Sequence, residues 1–365
     1  MLTSIAQSLI TIVVFVAILG GLILLHELGH FVTGRLARIR ILEFGIGFPP
    51  RARVLRRRGE TLYTLNWLPV GGFVKFEGED GDDGSDPRSF SQAALPIRLL
   101  ILVAGAAMNL LVAFVIFAGL AMGGDPAVGI QFQQVGPDSP AATAGLVPGD
   151  TVASVDGRRY SAFDSVFGSP SPLDDLRAGA GHTVTLGIVH ADGGTRDVSV
   201  TLRVPTATEG ALGISKLSSR QVGTISYSIA DAMSVGASRT VGAFGLILGG
   251  LGDLGRSIVT DPTTAPPAAG PVGIAVEVGN VLWGVGPLYV LFLAAMLSAN
   301  LALVNILPFP PLDGGRVLVT LIKSVAGDRL SVRAEQLTYL VGFVALFTFL
   351  IWITVFDVGR LVGGG

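Results

Sequence analysis

Four uncharged runs punctuate the chain, each long enough to cross a hydrocarbon core of about 30 Å as a helix. They are Met1 to Leu25, Leu99 to Gly124, Val278 to Leu312 and Leu337 to Phe356. A further apolar stretch, Val241 to Gly252, is shorter and has Asp231, Arg239 and Asp253 close by. It predicts an amphipathic helix packed at the interface rather than a fifth span. After the first run the pattern changes: Ile41 to Phe76 carries Gly45, Gly47, Pro49 and Pro50, then Thr61-Leu62-Tyr63-Thr64-Leu65-Asn66-Trp67 with partial alternation, then Pro69, Gly71 and Gly72. Strand formers between turn residues predict a small hairpin-rich sheet. Its apolar content predicts association with the membrane, where irregular backbone must be buried in protein or line a wet cavity. Glu77 to Asp86, rich in acids and glycine, reads as a solvated turn.

The resulting organisation is a first transmembrane helix over 1–33, a loop with its sheet over 34–98, and a second helix over 99–124. A soluble, mainly β segment over 126–205 follows, then an amphipathic helix and linker over 222–277. A third helix over 278–315, a loop over 316–336 and a fourth helix over 337–357 complete it. Composition agrees: 50% of residues are hydrophobic, only 14% are charged, and the mean hydropathy is +0.64, which belongs to a membrane protein rather than a soluble domain. A net charge of -2 and the lack of a basic tail point away from nucleic acid. Eleven Lys and Arg fall in residues 34–98 and four in 313–336, against none before His26. That asymmetry predicts cytoplasmic basic loops, with both termini and the 126–205 segment on the other side. A cleavable leader is the rival for Met1 to Leu25, but such a leader has a basic start and a small-residue cleavage site.

The first span runs into His26-Glu27-Leu28-Gly29-His30. On a helix His26 and His30 leave one face, as a zinc ion needs, and Glu27 stands beside them as a general base. Ionisable groups in an apolar segment are expensive without function. The chain has no cysteine, so a metal here must be held by His and carboxylate. Asp313 is the natural third ligand. The third span ends at Asn305-Ile306-Leu307-Pro308-Phe309-Pro310-Pro311-Leu312-Asp313-Gly314-Gly315, where prolines stop the helix and glycines let the backbone approach closely. Three protein ligands leave the fourth zinc position open for catalysis, with one Zn2+ per chain. Asn109 and Asn300 read as helix-to-helix hydrogen bonds, and His182 and His190 as surface residues.

Two resemblances sharpen this reading. Residues 135–157, with Ser139-Pro140-Ala141 and Gly145-Leu146-Val147-Pro148-Gly149-Asp150-Thr151-Val152 ahead of Asp156-Gly157, resemble a PDZ domain, a fold that adds a peptide strand or captures a C-terminus. The order of the His-Glu motif, Gly71-Gly72-Phe73-Val74-Lys75, the PDZ-like insertion, Gly270-Pro271-Val272-Gly273 and Asn305 through Gly315 is similar to that of site-2 proteases, the bacterial regulator-of-sigma-E-protease type above all. The resemblance implies a polytopic α-helical membrane protein with about four transmembrane helices, a membrane-associated β-hairpin sheet and an inserted PDZ-like domain. It implies intramembrane zinc proteolysis in the bacterial inner membrane, with His26, His30 and Asp313 as ligands and Glu27 as base. It further implies that the sheet around Leu62, Leu65, Gly71 and Gly72 receives the substrate as an added strand, and that Asn305 contacts the bound peptide. Substrates would be single-span proteins such as anti-sigma factors or remnant signal peptides. The chain departs from many relatives at Ala104-Gly105-Ala106-Ala107-Met108-Asn109, where Gly-Pro precedes the Asn, and it shows one PDZ-like segment where some have two. A silent PDZ-bearing scaffold is the rival reading, but it has no need of Glu27. A transporter with a broken helix is another, and it requires an internal repeat that is absent here.

Overall fold

The computed structural model describes residues 2–79, 86–206, 209–261, 263–326 and 332–363. The acidic turn expected at Glu77 to Asp86, the linker at position 262 and the loop expected over 316–336 therefore lie partly outside the described residues. The chain divides into two compact units, Met1–Ile116 with Thr240–Gly365, and Phe117–Arg239.

In the first unit, α1 (Leu2–Leu36) has no acidic or basic side chain other than His26 before Glu27, and Leu9 and Val13 expose most of their surface as lipid-facing residues do. Strands β1 (Ile41–Arg58) and β2 (Thr61–Phe76) turn at Arg58-Gly59-Glu60-Thr61, where Gly59 takes a φ of +62° that a side chain would oppose. Both strands fold back on themselves, so Glu43 to Ile46 are paired twice. They meet Lys75 to Gly72 on one side and Leu62 to Leu65 on the other. Leu62 to Leu65 are paired again, on their far side, with Arg57 to Arg53. The lateral order is thus 72–76, 41–46, 61–66 and 51–58, leaving 72–76 and 51–58 as edges. Ile41, Phe76 and Phe90 pack with Ile101 and Leu102 of α2 (Leu95–Gly123), which anchors the sheet beside the first two helices.

Five helices, among the described residues, are long and apolar enough to cross a membrane. The one beyond the four expected is α6 (Ile229–Thr260), where the Val241 to Gly252 stretch sits inside a 32-residue helix. It is the least apolar of the five. The third expected span is broken in two: α7 (Pro271–Gly284) and α8 (Pro287–Ile306) are separated at Gly286, whose φ is +117°, and restarted by Pro287. The amides of Gly270 and Gly273 at the start of α7 donate to the buried Asp357 carboxylate of α10 (Val332–Val362), at 3.2 and 2.8 Å. A carboxylate at a helix N-terminus satisfies free amides and suits the dipole there. Most of the expected cytoplasmic loop is also helix, α9 (Asp313–Ala326). Leu318, Leu321, Ile322 and Val325 recur at helical spacing along it and are exposed, the pattern of an amphipathic surface helix rather than a loop.

The second unit is built on a six-stranded sheet of order β7-β6-β4-β5-β3-β8. Its strands are β3 (Asp125–Val135), β4 (Thr151–Val155), β5 (Arg158–Ser161), β6 (Thr183–Val189), β7 (Thr195–Thr201) and β8 (Ile214–Ile225). The sheet runs past the boundary expected at residue 205, because β8 pairs with β3 along nearly its whole length. Asp156 and Gly157, both at positive φ, make the tight turn between β4 and β5. Phe132, Leu146, Val152, Leu186, Ile188 and Leu202 form the core. The short helices α3 (Pro140–Thr143) and α4 (Ala162–Ser165) are capped by Ser139 and Ser161, and α5 (Pro172–Ala178) starts with a Ser171–Asp174 capping box. The Tyr160 hydroxyl donates to Asp175 at 2.7 Å, and burial followed by that bond pushes the phenol up from its ordinary value, so it stays a donor. Arg239, fully buried, reaches the buried Asp125 and the half-buried Asp164, so its charge is paired where it has lost its water.

Candidate metal centre

The His-Glu motif sits where α1 packs tightly against α2. A Cβ on Gly29 would stand 2.9 Å from the Met108 Cβ and nearer still to the Ala104 carbonyl. Only glycine lets the two backbones approach so tightly. One turn of α1 separates His26 from His30. Both are buried, and their Nε2 atoms lie 3.1 Å apart. Asp313, the first residue of α9, brings Oδ2 to 2.9 Å from His26 Nε2 and 3.2 Å from His30 Nε2. Gly314 packs against the Ile306 and Leu307 carbonyls and Gly315 against Phe309 and Pro310, with no room for a side chain. The chain therefore doubles back tightly after α8, which turns the Asp313 carboxylate toward α1. Among the described residues these three form the group of metal-ligating side chains whose atoms converge.

The protonation pattern asks for a cation. His30 Nδ1 lies 2.7 Å from the Ile101 carbonyl, which can only accept, so Nδ1 carries the proton and Nε2 presents a lone pair. That lone pair faces a second imidazole nitrogen and Asp313 Oδ2, atoms that one shared cation would bind together. The triangle's edges of 2.9 to 3.2 Å are close to the ~3.3 Å between two ligands of a tetrahedral ion with bonds near 2.0–2.1 Å, the geometry of zinc. The space is kept open from the side of α2: a Cβ on Gly105 would lie 2.6 Å from His26 Nε2 and closer still to His30 Nε2. Any side chain there would stand where an ion shared by both imidazoles has to go. The donor set and the gap fit zinc.

Glu27, Asp313 and His30 line a cavity of about 410 Å³ together with Phe73 to Phe76 of β2 and, across from them, Arg316. Glu27 is half-buried and makes no hydrogen bond or ion pair among the described residues. Arg316, one turn into α9, is ion-paired to Glu79 and lies against the Tyr339 ring.

These features meet in a family of known chemistry. The model of peptidase family M50 matches residues 14–349. The chain belongs to peptidase family M50, the site-2 proteases. A protein of Agrobacterium fabrum that carries a zinc-metalloprotease name is 30% identical over 96% of this chain and 96% of its own. One from a Nostoc species, named likewise, is 32% identical over 95% of both. The zinc metalloprotease RasP of Geobacillus kaustophilus is 27% identical over 97% of this chain and 99% of its own. This M50 protein is accordingly a zinc metalloprotease, and its family together with the long apolar helices among the described residues makes it a membrane-embedded one.

The other residues expected at the site fall differently. Gly71 and Gly72 are buried at the start of the edge segment, and a Cβ on Gly72 would come within 3.9 Å of Glu27 Cγ. Leu62 and Leu65 belong to an interior segment paired on both sides. Neither has an open edge to offer a substrate, which corrects their expected part in strand addition. Asn305 ends α8 half-buried and stands outside the residues that line the cavity. Two features of α2 have no counterpart in the sequence reading, the Ile101 carbonyl and the Gly105 gap, whereas the Asn109 side chain makes the helix-to-helix contact expected of it, with His26 as its partner. The signal available was their spacing, i, i+4 and i+8 on one helical stripe.

Proposed function

We propose that His26, His30 and Asp313 hold the zinc, that Glu27 is the general base, and that the enzyme hydrolyses peptide bonds within transmembrane segments of membrane-anchored proteins. The observation that carries this is the convergence of three lone-pair atoms, opposite a gap kept by Gly105, on a cavity that also holds an unpaired carboxylate. When bound, zinc polarises a scissile carbonyl and makes water acidic enough to lose a proton near neutral pH. Glu27 accepts that proton and delivers it to the leaving amine. A transmembrane helix hides its own peptide bonds, so part of it must unwind before attack. The open edge at Gly72 to Phe76 supports a substrate strand being added there, which compensates the backbone hydrogen bonds lost on unwinding. Asn305 keeps its assignment to the bound peptide on the family resemblance alone.

The second unit is read as the PDZ-like domain on the strength of its strand-turn-strand motif around Asp156-Gly157 and its small capped helices. The Lys and Arg of residues 34–98 support a bacterial inner-membrane protein with that unit outside the cytoplasm and the zinc toward it. Anti-sigma factors and remnant signal peptides are the substrate classes that follow. Glu27→Gln and Asp313→Asn test the roles together. Glu27→Gln is expected to keep about one zinc per chain by elemental analysis and to lose cleavage of a model transmembrane substrate by 10²-fold or more, roughly the contribution of a general base. Asp313→Asn is expected to surrender its zinc to a chelator that leaves the parent loaded. Turnover by Glu27→Gln at the parent's rate removes Glu27 from its role, and unchanged retention in Asp313→Asn moves the third ligand elsewhere.

A further inference from the structure

We propose that Asn109 is a positioning residue of the metal centre: its side-chain oxygen holds His26 in the tautomer that can bind zinc. The inference rests on the ligand assignment above and extends it to a residue outside the ligand set. His26 and His30 have to present the same atom, Nε2, because those two atoms and Asp313 Oδ2 converge. Each ring therefore needs its proton on Nδ1, and each Nδ1 needs an acceptor. His30 has one in the Ile101 carbonyl, at 2.7 Å. His26 Nδ1 faces the Asn109 amide, at 3.3 Å, with both groups fully or nearly fully buried.

An amide can face the ring in two ways that have the same shape. With Nδ2 toward the ring, Nδ1 must be bare and the proton sits on Nε2, a tautomer that cannot give that atom to a metal. The same orientation strands Asn109 Oδ1 in the interior without a donor. With Oδ1 toward the ring, the oxygen accepts the Nδ1 proton, and Nε2 turns its lone pair to the ion. Few buried oxygens are left unsatisfied in folded proteins, and metal-binding histidines usually donate their second nitrogen to such an acceptor. The Ser298 hydroxyl of α8 donates to the main-chain carbonyl of Asn109 at 2.8 Å and so fixes this turn of α2 in place. Ile101, Gly105 and Asn109 follow one another at intervals of four along α2. That one stripe orients His30, leaves room for the ion, and orients His26.

The test is zinc affinity, read by chelator competition on the full-length detergent-purified protein, with the visible spectrum of the cobalt-substituted form as a second readout. Asn109→Leu, which removes the acceptor at similar size, is expected to weaken zinc 10- to 100-fold, the usual effect of removing a partner behind a ligand, and to alter the cobalt bands. Asn109→Asp, which presents an oxygen in either orientation, is expected to bind zinc at least as tightly as the parent and to keep its cobalt spectrum. A role confined to packing between helices predicts the opposite order, since a buried carboxylate is then worse than leucine. Parent affinity in Asn109→Leu, or equal losses in both variants, overturns the proposal. If Asn109→Leu is not recovered folded, Asn109→Ala takes its place in the same comparison. A parent chain that holds no zinc is a distinct result, which removes the ligand assignment itself.

Discussion

At the scale of single residues, Gly105 carries as much of the site as the ligands do. Alanine is the better helix former by about 1 kcal/mol, so Gly105→Ala ought to leave α2 at least as helical as before. Its methyl group, however, would sit 2.6 Å from His26 Nε2, inside the space an ion shared by the imidazoles must fill. The expected result is a folded protein of unchanged helix content by circular dichroism whose zinc affinity falls by about 100-fold or more, the scale of a displaced ligand shell. Zinc retained at parent level would show that the ion lies away from α2. His26, Glu27 and His30 were legible in the sequence because their geometry belongs to one helix and is fixed by its 3.6-residue period. Asp313 was legible because the prolines and glycines around it announce a chain reversal. Gly105 was not, and Asn109 was legible as a helix-to-helix hydrogen bond but not as the partner of His26, since both depend on which faces of α1 and α2 meet.

At the scale of elements, the same limit shows in the sheet. Strand formers and turn residues between Ile41 and Phe76 announce strands, but a period of two gives faces, not partners. Because β1 and β2 each fold back, Leu62 to Leu65 end up inside and Gly72 to Phe76 at the edge beside Glu27. Neighbouring residues of a strand send their N–H groups to opposite sides, so proline at Val74 and proline at Lys75 remove donors on different sides. One of the two variants should keep its zinc and its folded stability yet cut a transmembrane substrate roughly 10-fold or more slowly, by loss of about one substrate hydrogen bond in a desolvated site. The other should destabilise the sheet. Full activity from the variant that stays folded would mean that the edge receives no substrate. Proline at Leu62 or Leu65 is expected to damage folding itself, because both sides of that segment are in use. The break at Gly286-Pro287 was written in the sequence as a strong stop signal inside an uncharged run. Hydropathy alone passes over such a signal.

At the scale of the whole molecule, the open matter is what the second unit contributes to proteolysis. A peptide recruited by strand addition needs a free edge and pockets for its side chains. The edges of the six-stranded sheet are β7 and β8. Thr195, Arg196, Asp197, Ser199 and Thr201 on one, and Ser215, Lys216, Ser218, Ser219 and Arg220 on the other, make both edges mainly polar, with Leu217 the exposed apolar residue among those of β8. That favours a unit that excludes substrates by bulk over one that captures a C-terminus. Because β8 completes the sheet by pairing with β3, removing only residues 128–204 would leave a torn edge, and the replacement has to cover 126–225 while sparing Asp125. Replacing 126–225 by a short Gly/Ser linker should let the enzyme cut substrates whose outer domain is still attached, several-fold faster than the intact enzyme does. Substrates already trimmed should be cut at the intact enzyme's rate, and zinc content should not change. If the unit instead recruits, the replacement slows every substrate bearing the recognised end, trimmed or not. Matched long and trimmed substrates assayed with both enzymes separate the two, and identical size discrimination with and without the unit eliminates exclusion by bulk.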